Sequence, residues 1–344
     1  MADQIRVKLS MHPDWPIERQ LPNGQINWGK YDFYINQKIS HCDYWVVLNS
    51  PFDKEKCECS PDRTLFVAFE PETIHRSNVE FLNQFAAVLT TQSDTRHPYV
   101  INSHVGHQWY AGVRFPDLVP EYNYTSLRNL QITKNEEKIS VIMSTKTMSN
   151  GHEYRLKVLE KLKKEMPGKI DVYGKGFNEV PDKLLAIAPY KYHLAFENSY
   201  INDYWTEKLA DTFIGWSLPL YWGCPNIEEY FSKASLIRLP EDNITDTVAL
   251  VKKAVEMREY EKRKDDIAQA RAAVLEHYNT FAVISRILDD WPLQNIRSKE
   301  HITIRDERFY TKRNRIAVLL RDARSEWRWN FRYDEASHRT PTKK

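Results

Sequence analysis

The sequence has little glycine, little cysteine and no long apolar run. Only 10 of its 344 residues are glycine, against a usual share of ~7%, which excludes collagen-like and glycine-rich low-complexity chains. The four cysteines form no Cys-x-x-Cys pair, which argues against a disulfide framework or a cysteine zinc site. The longest charge-free apolar segment, residues 212–227, contains two prolines and is shorter than the ~20 residues of a membrane-spanning helix.

The charge is nearly balanced over the chain and unbalanced at its end. Lys and Arg number 49 against 47 Asp and Glu, but residues 297–344 hold 14 Lys and Arg against 7 Asp and Glu. Within this tail, residues 308–330 place an apolar stripe opposite several arginines, which predicts an amphipathic basic helix. Such a helix can lie on an anionic membrane surface, pack on the body or touch nucleic acid. We do not expect a nucleic-acid partner.

Two features bear on location. Residues 1–10 carry Asp3, Arg6 and Lys8 without an apolar core, so we expect no signal peptide. The few unpaired cysteines are typical of a reducing compartment. We therefore expect a cytoplasmic protein, in peripheral contact with a membrane if the basic helix binds one.

Short apolar, β-branched or aromatic runs recur along the chain, separated by segments of helical period. Runs of five or six residues without alternation indicate strands buried on both faces, as in parallel sheets. Alternating strands and helices predict doubly wound α/β units. The length suggests two domains, and the polar stretch 125–138 is a suitable linker. The expected runs are 5–10, 44–49, 65–70, 86–91, 139–144, 170–174, 192–197, 218–223 and 235–240.

The most informative stretch begins where one of these strands ends, at Phe196. Glu197, Asn198 and Ser199 follow, at the edge where open α/β sheets bind ligands. Asp203 is a suitable N-cap for the next helix, whose first turn would expose Glu207 and Lys208. A helix N-terminus with a lysine suits a diphosphate, and a carboxylate suits ribose hydroxyls. The same residues also fit an ordinary capped helix.

Phe196-Glu-Asn-Ser199, then Asp203-Tyr-x-Thr-Glu-Lys-Leu209, then Gly215-x-x-x-Pro219 and Gly223 resemble the donor-binding signature of the α1,3/α1,4-fucosyltransferase family, glycosyltransferase family 10. Upstream, His152-Glu-Tyr-Arg155 and Asp171-Val-Tyr-Gly174 are similar to the same family. The resemblance covers about residues 135–240 and suggests a bacterial member. It implies the GT-B architecture, in which two Rossmann-like domains face a central cleft.

On this resemblance the acceptor half would be residues 1–124 and the donor half 125–296, followed by the basic tail 297–344. The resemblance also implies roles for particular residues. Arg155 and Lys208 would bind the diphosphate of GDP-fucose and Glu207 its ribose. Asn198 and Tyr204 would bind the phosphates or the fucose, and the Tyr-Gly turn adds Tyr173 to the donor site.

The family's catalytic base is a Glu in a Glu-Ser-Pro motif after an acceptor-domain strand. This sequence has Phe69-Glu70-Pro71-Glu72, without the intervening Ser, which leaves Glu70 and Glu72 as alternatives. We prefer Glu70 because it ends the strand, where partial desolvation would raise the pKa of its carboxyl group. In the acceptor half, Trp109 and Tyr110 could stack on a sugar.

Metal chemistry is not expected. His97, His104 and His107 lack a carboxylate at a defined spacing, and the sequence holds no Asp-x-Asp motif. The cations would stabilise the leaving diphosphate, so we predict no cofactor and no essential divalent metal.

The resemblance implies an inverting transfer of fucose from GDP-fucose to a glycan hydroxyl, with α1,3 linkage to GlcNAc or glucose as the expected product. Two alternatives remain open: the same scaffold with another nucleotide sugar, and a non-catalytic glycan- or membrane-binding protein.

Overall fold

The computed structural model describes residues 4–22, 24–49, 54–143 and 150–310, with the backbone alone for residues 150–152. The predicted basic helix over 308–330 therefore lies almost wholly outside the described residues, as does any contact that it makes.

Most of the secondary structure follows the apolar runs. The first part of the chain holds the strands β1 (Ile5–Ser10), β2 (Asn27–Trp28), β3 (Tyr31–Ile35), β4 (Tyr44–Leu48), β5 (Glu55–Cys59), β6 (Thr64–Ala68), β7 (Ala87–Thr90), β8 (Val100–Asn102), β9 (Val113–Arg114) and β10 (Val119–Pro120). Later strands are β11 (Glu136–Ile142), β12 (Ile170–Tyr173), β13 (Tyr190–Phe196), β14 (Leu218–Trp222), β15 (Ile237–Arg238) and β16 (Glu300–Ile304). The helices are α1 (Val79–Leu82), α2 (Tyr124–Arg128), α3 (Asn150–Glu165), α4 (Lys183–Ile187), α5 (Glu207–Ile214), α6 (Ile244–Glu256), α7 (Glu259–Lys262), α8 (Lys264–Glu276) and α9 (Thr280–Asp289).

Two separate sheets organise these elements. The first has the order β2-β3-β1-β4-β6-β7-β8 and the second β12-β11-β13-β14-β15. Every pairing in them is parallel except that of β2 with β3. The fully buried strands β4, β6, β7 and β14 lie inside their sheets, as continuous apolar runs predict. The predicted α/β fold with two Rossmann-like halves of the GT-B type is confirmed.

The chain passes from the first half to the second, and later returns, at earlier residues than the sequence indicates. Trp109 and Ala111 already belong to the core of the second half, so the change of core precedes the predicted boundary at 124. The return crossing precedes 296, because Phe281 and Ile284 of α9 lie in the core of the first half. The charged stretch after α9 then adds β16 antiparallel to β5. Composition could not locate these crossings because packing, not polarity, defines them.

Among the described residues, no helix is both long enough and apolar enough to cross a membrane.

Candidate active site

The N-terminus of α5 is anchored by a buried carboxylate at the end of β13. Glu197 is fully buried; its Oε1 accepts a hydrogen bond from the Thr206 backbone N–H at 2.8 Å and its Oε2 accepts one from Thr206 Oγ1 at 2.7 Å. Lys208 Nζ lies 3.5 Å from Glu197 Oε2. The residue expected to face a ligand thus fixes the helix start instead, and it positions Lys208.

The helix starts three residues later than predicted. Its N-cap is Thr206, whereas Asp203 has a positive φ of 63° and accepts hydrogen bonds from Asn226 Nδ2 and Tyr230 Oη. The N-cap assignment to Asp203 was therefore wrong. The Asp203 carboxylate already accepts hydrogen bonds from residues more than 20 positions away, so it does not cap the helix amides. No local sequence pattern predicts those partners.

Alternating charges surround the first turn of α5. Glu207 Oε1 lies 3.3 Å from Lys208 Nζ and 3.2 Å from Lys183 Nζ. Burial alone would raise the pKa of Glu207, but the two lysines hold it below its usual range. Burial would lower the pKa of Lys208, yet Glu207 and Glu197 raise it overall. The site therefore presents a fixed cation and a fixed carboxylate side by side at neutral pH.

A cavity of about 380 Å³ lies at the carboxyl ends of the strands of the second sheet, where open α/β sheets bind ligands. We call it the donor cavity, after the role predicted for the residues that line it. It is lined by Arg155, Asn198, Glu207 and Lys208, four of the residues predicted to bind the donor, and also by Lys175. Arg155 is 5% exposed, and burial lowers the pKa of its guanidinium. Lys183 also lines this cavity, so four cationic side chains surround it, and such a set is suited to a bound diphosphate.

Tyr173 is placed differently from the prediction. Its hydroxyl lies 2.6 Å from the Tyr190 hydroxyl, and the lining of the donor cavity includes the next residue, Gly174, rather than Tyr173. Gly174 has φ +109°, and a Cβ there would overlap the carbonyl oxygen of Met143. The Tyr-Gly turn thus contributes close backbone approach, for which glycine is required, while the Tyr173 side chain is not among the residues that line the cavity.

A second cavity, of about 200 Å³, lies between the two halves of the molecule, and we call it the cleft cavity. Glu70, Tyr110 and Tyr204 line it together with Asn198, Glu207 and Lys208. Because the last three residues also line the donor cavity, the two cavities meet at this point. The fold thus brings most of the predicted site residues into one continuous cleft.

Glu70, not Glu72, is among the residues that line the cleft cavity. Burial raises the pKa of Glu70, and Lys208 opposes part of that rise. A carboxylate with a raised pKa at the edge of a cavity is suited to accept a proton. The geometry therefore favours the preferred alternative.

The two aromatic residues that were predicted to stack on the acceptor sugar lie in different environments. Tyr110 lines the cleft, and Lys183 Nζ lies 4.9 Å from the centre of its ring. Trp109 is 1% exposed and belongs to the core of the second half, so the prediction that it stacks on a sugar was wrong. Of this pair, only Tyr110 therefore faces the cleft.

The histidine segment is built into the interdomain region. His104 stacks on Trp205 with ring centroids 3.6 Å apart, and burial lowers the pKa of His107 to about 4. Burial also lowers the pKa of His104 well below its usual value. Both rings are therefore neutral at physiological pH. Within the described residues, no group of three or more His, Cys, Asp or Glu side chains is arranged to hold a metal ion.

Several residues of the site carry no recognisable sequence signal. Lys183 reaches Glu207 from α4, while Trp15, His107 and Gln108 line the cleft from distant parts of the chain. Each is brought there by tertiary packing rather than by a local motif. The apolar run 5–10 and the histidines at 97, 104 and 107 are visible in the sequence, but neither predicts that Trp15 or His107 lies in the cleft.

Gly223 tests the packing that holds Glu197 in place. A Cβ at Gly223 would overlap Glu197 Cγ and lie 2.7 Å from the Tyr221 hydroxyl. We expect Gly223→Ala to lower the free energy of unfolding by about 1–3 kcal/mol, as overpacking usually does, and to weaken binding of GDP. Urea unfolding and calorimetric titration measure the two effects; an unchanged unfolding midpoint would contradict the packing described.

Comparisons with known proteins agree with this geometry. Residues 132–264 match the sequence model of the glycosyltransferase family 10 (fucosyltransferase) C-terminal region. The chain is 34% identical over 64 residues to the alpha-(1,3)-fucosyltransferase FucT of Helicobacter pylori, covering 19% of this chain and 13% of that protein. It is 36% identical over 112 residues to human 4-galactosyl-N-acetylglucosaminide 3-alpha-L-fucosyltransferase 9, covering 31% of each. The matched stretches thus span less than a third of these relatives.

A solved alpha1,3-fucosyltransferase with GDP-fucose aligns with 79% of this chain and 90% of its own, at 15% identity and a TM-score of 0.46. The family match includes β11, β13 and α5, which contribute residues to the lining of the donor cavity. Residues 132–264, which are less than half of the chain, thus match the C-terminal region of glycosyltransferase family 10, the fucosyltransferases.

Proposed function

We propose that the protein transfers fucose from GDP-fucose to a hydroxyl group of a glycan. The observation that carries this proposal is the joined cleft: Glu70 from the first half and Lys208 from the second line one cavity of about 200 Å³. A base and a cation on opposite walls are the groups that an inverting transfer requires. The family match to residues 132–264 supports the donor.

The donor half would bind the nucleotide. Arg155 and Lys208 contact the diphosphate, with Lys175 as a further cation, and Glu207 accepts hydrogen bonds from the ribose. Asn198 lines both cavities, so it would lie near the junction of the diphosphate and the fucose. Tyr204, buried at 3% exposure, would form the wall beside the sugar.

The proposed reaction is a single displacement. Glu70 takes the proton of the acceptor hydroxyl, the acceptor oxygen forms a bond to the anomeric carbon, and the bond from that carbon to the diphosphate oxygen breaks. GDP leaves with the electron pair of that bond. Because β-linked fucose is attacked from the opposite face, the product is α-linked, and an α1,3 linkage to GlcNAc or glucose is the acceptor chemistry we propose. The fixed cations stabilise the charge on GDP.

Donor binding is the first test of this proposal. Calorimetric titration of GDP-fucose and of GDP into the full chain should give saturable binding to one site, and Arg155→Ala should weaken it strongly. The same scaffold with another nucleotide sugar would show tighter binding of that sugar's nucleotide. No binding of either GDP ligand would contradict the proposal.

Metal independence is the second test. The cations that face the diphosphate are side chains, so we expect the rate of transfer to stay unchanged after treatment with EDTA. Product formation is measured by chromatography before chelation, after chelation and after adding back Mg²⁺ or Mn²⁺. A loss that either metal restores would contradict the prediction.

We also propose a cytoplasmic location. Cys42, Cys57, Cys59 and Cys224 are all free thiols in the structure, as in a reducing compartment.

A further inference from the structure

The segment between Glu70 and α1, residues 71–78, is a turn that touches the opposite half of the molecule; we call it the base loop. Thr73 Oγ1 lies 2.6 Å from Ser199 Oγ, within hydrogen-bonding distance. Ser199 directly follows Asn198 of the donor site and is 6% exposed. A direct polar contact thus joins the loop that carries the proposed base to the motif that carries the donor ligands.

The base loop is tied to its own half from behind. Gln92, at 5% exposure, donates hydrogen bonds from Nε2 to the carbonyl oxygens of Glu70 at 2.8 Å and His75 at 2.9 Å. One buried amide therefore fixes both the residue of the base and a later point of the loop. The backbone of Glu70 cannot shift unless this pair of bonds breaks or the loop moves as a unit.

A second tie comes from the chain that returns after α9. Glu307 Oε1 accepts from the Asn78 backbone N–H at 2.5 Å, and its Oε2 lies 2.8 Å from His75 Nε2. Gln84, just after α1, exchanges hydrogen bonds with the backbone of Arg305. The base loop is thus held to the first half along most of its length, while Thr73 contacts the second half.

We propose that the hydrogen bond between Thr73 and Ser199 is an interdomain latch that positions Glu70 over the donor site. This inference rests on the proposed transferase function. Because Gln92 and Glu307 make the base loop stiff, a contact at Thr73 sets the separation of the two halves at the point where base and donor must meet. Thr73 and Ser199 are positioning residues, since each acts through the placement of another group.

The physical consequence is a loss of rate without a loss of donor affinity. The donor cavity is lined by residues of the second half, so an opened latch leaves those contacts in place. Misplacement of a general base by about an ångström lowers the rate of a chemical step steeply. The latch should therefore appear in kcat and not in the Kd for GDP-fucose.

The experiment compares Thr73→Val, Ser199→Ala and the double variant with wild type. Either single substitution removes the bond with little change in volume. We expect each to lower kcat for transfer about tenfold, because one hydrogen bond of ordinary strength no longer holds the base in place. The double variant should be no slower than the slower single one, because both remove the same bond. Thr73→Ser keeps the hydroxyl and should restore most of the rate.

Thr245→Val is the matched control, since Thr245 Oγ1 accepts a hydrogen bond from Lys161 on the exposed surface. It makes the same chemical change and should leave kcat at the wild-type value. The latch is contradicted if Thr73→Val behaves like Thr245→Val, or if the effects of the two single substitutions multiply in the double variant. Absence of GDP-fucose binding or of transfer in the wild-type protein would instead reject the transferase function itself.

Discussion

Glu70→Gln should leave GDP-fucose bound with the wild-type Kd and lower kcat for fucose transfer by about 10²–10⁴-fold, the range for removal of a general base. The amide has the shape of the carboxyl group but cannot take the acceptor proton. Glu70 lines the cleft cavity and not the donor cavity, so nucleotide contacts survive. Calorimetry gives the Kd, and the rate of GDP release in the presence of acceptor gives kcat.

The pH dependence of the wild-type rate follows from the same carboxylate. Burial raises the pKa of Glu70 above its ordinary 4.5, and Lys208 and His75 oppose the rise while Glu207 adds to it. The base works only when ionised, so kcat/KM should fall as the pH decreases through this raised pKa. An acidic limb at or below 4.5 would contradict the assignment.

Glu72→Gln is the matched control for Glu70→Gln. It makes the same change two residues further along, at the alternative base, and should keep most of the activity. A fully active Glu70→Gln protein, or an inactive Glu72→Gln protein that still binds GDP-fucose, would move the base to Glu72.

Lys208→Met should weaken donor binding and lower the free energy of unfolding. The variant removes a cation that lies between Glu197 and Glu207, so the buried Glu197 loses its cation while Glu207 keeps only Lys183. We expect GDP to bind at least about tenfold more weakly, since a charged hydrogen bond contributes ~1.5–3 kcal/mol. We also expect the free energy of unfolding to fall by about 3 kcal/mol, the lower end for a broken buried ion pair, because the Lys208 side chain is 23% exposed.

A second variant separates the two effects. Adding Glu197→Gln to Lys208→Met removes the buried charge that has lost its cation and should recover part of the stability, as urea unfolding would show. It should not recover GDP binding, since Glu197 is fully buried beneath α5 and the cation is still missing. Recovery of binding would mean that Lys208 acts only through the fold.

Local signals predicted the donor site better than the acceptor side. Asn198, Glu207 and Lys208 lie within one strand-to-helix connection, so their spacing in sequence fixes their spacing in the structure. Asp203 shows the limit of such reasoning: it is as good an N-cap by residue type as Thr206, but Asn226 and Tyr230 engage it.

Packing between distant segments explains the other differences. Trp109 was predicted to stack on a sugar, yet it fills the core of the second half. Lys183 has no motif and still reaches Glu207. Strand β16 arises from a charged stretch with little apolar character because β5 offers it a free edge. Such placements depend on the final topology, which single-sequence patterns do not contain.

Product analysis tests the central claim most directly. The full chain is incubated with GDP-fucose and a panel of acceptors that end in GlcNAc or glucose, and the purified product is examined by NMR for the configuration of the new linkage. The account predicts a fucosylated product with an α-linkage, formed with stoichiometric release of GDP. A β-linked product, or GDP-fucose that binds but is never transferred to any glycan of the panel, would contradict it.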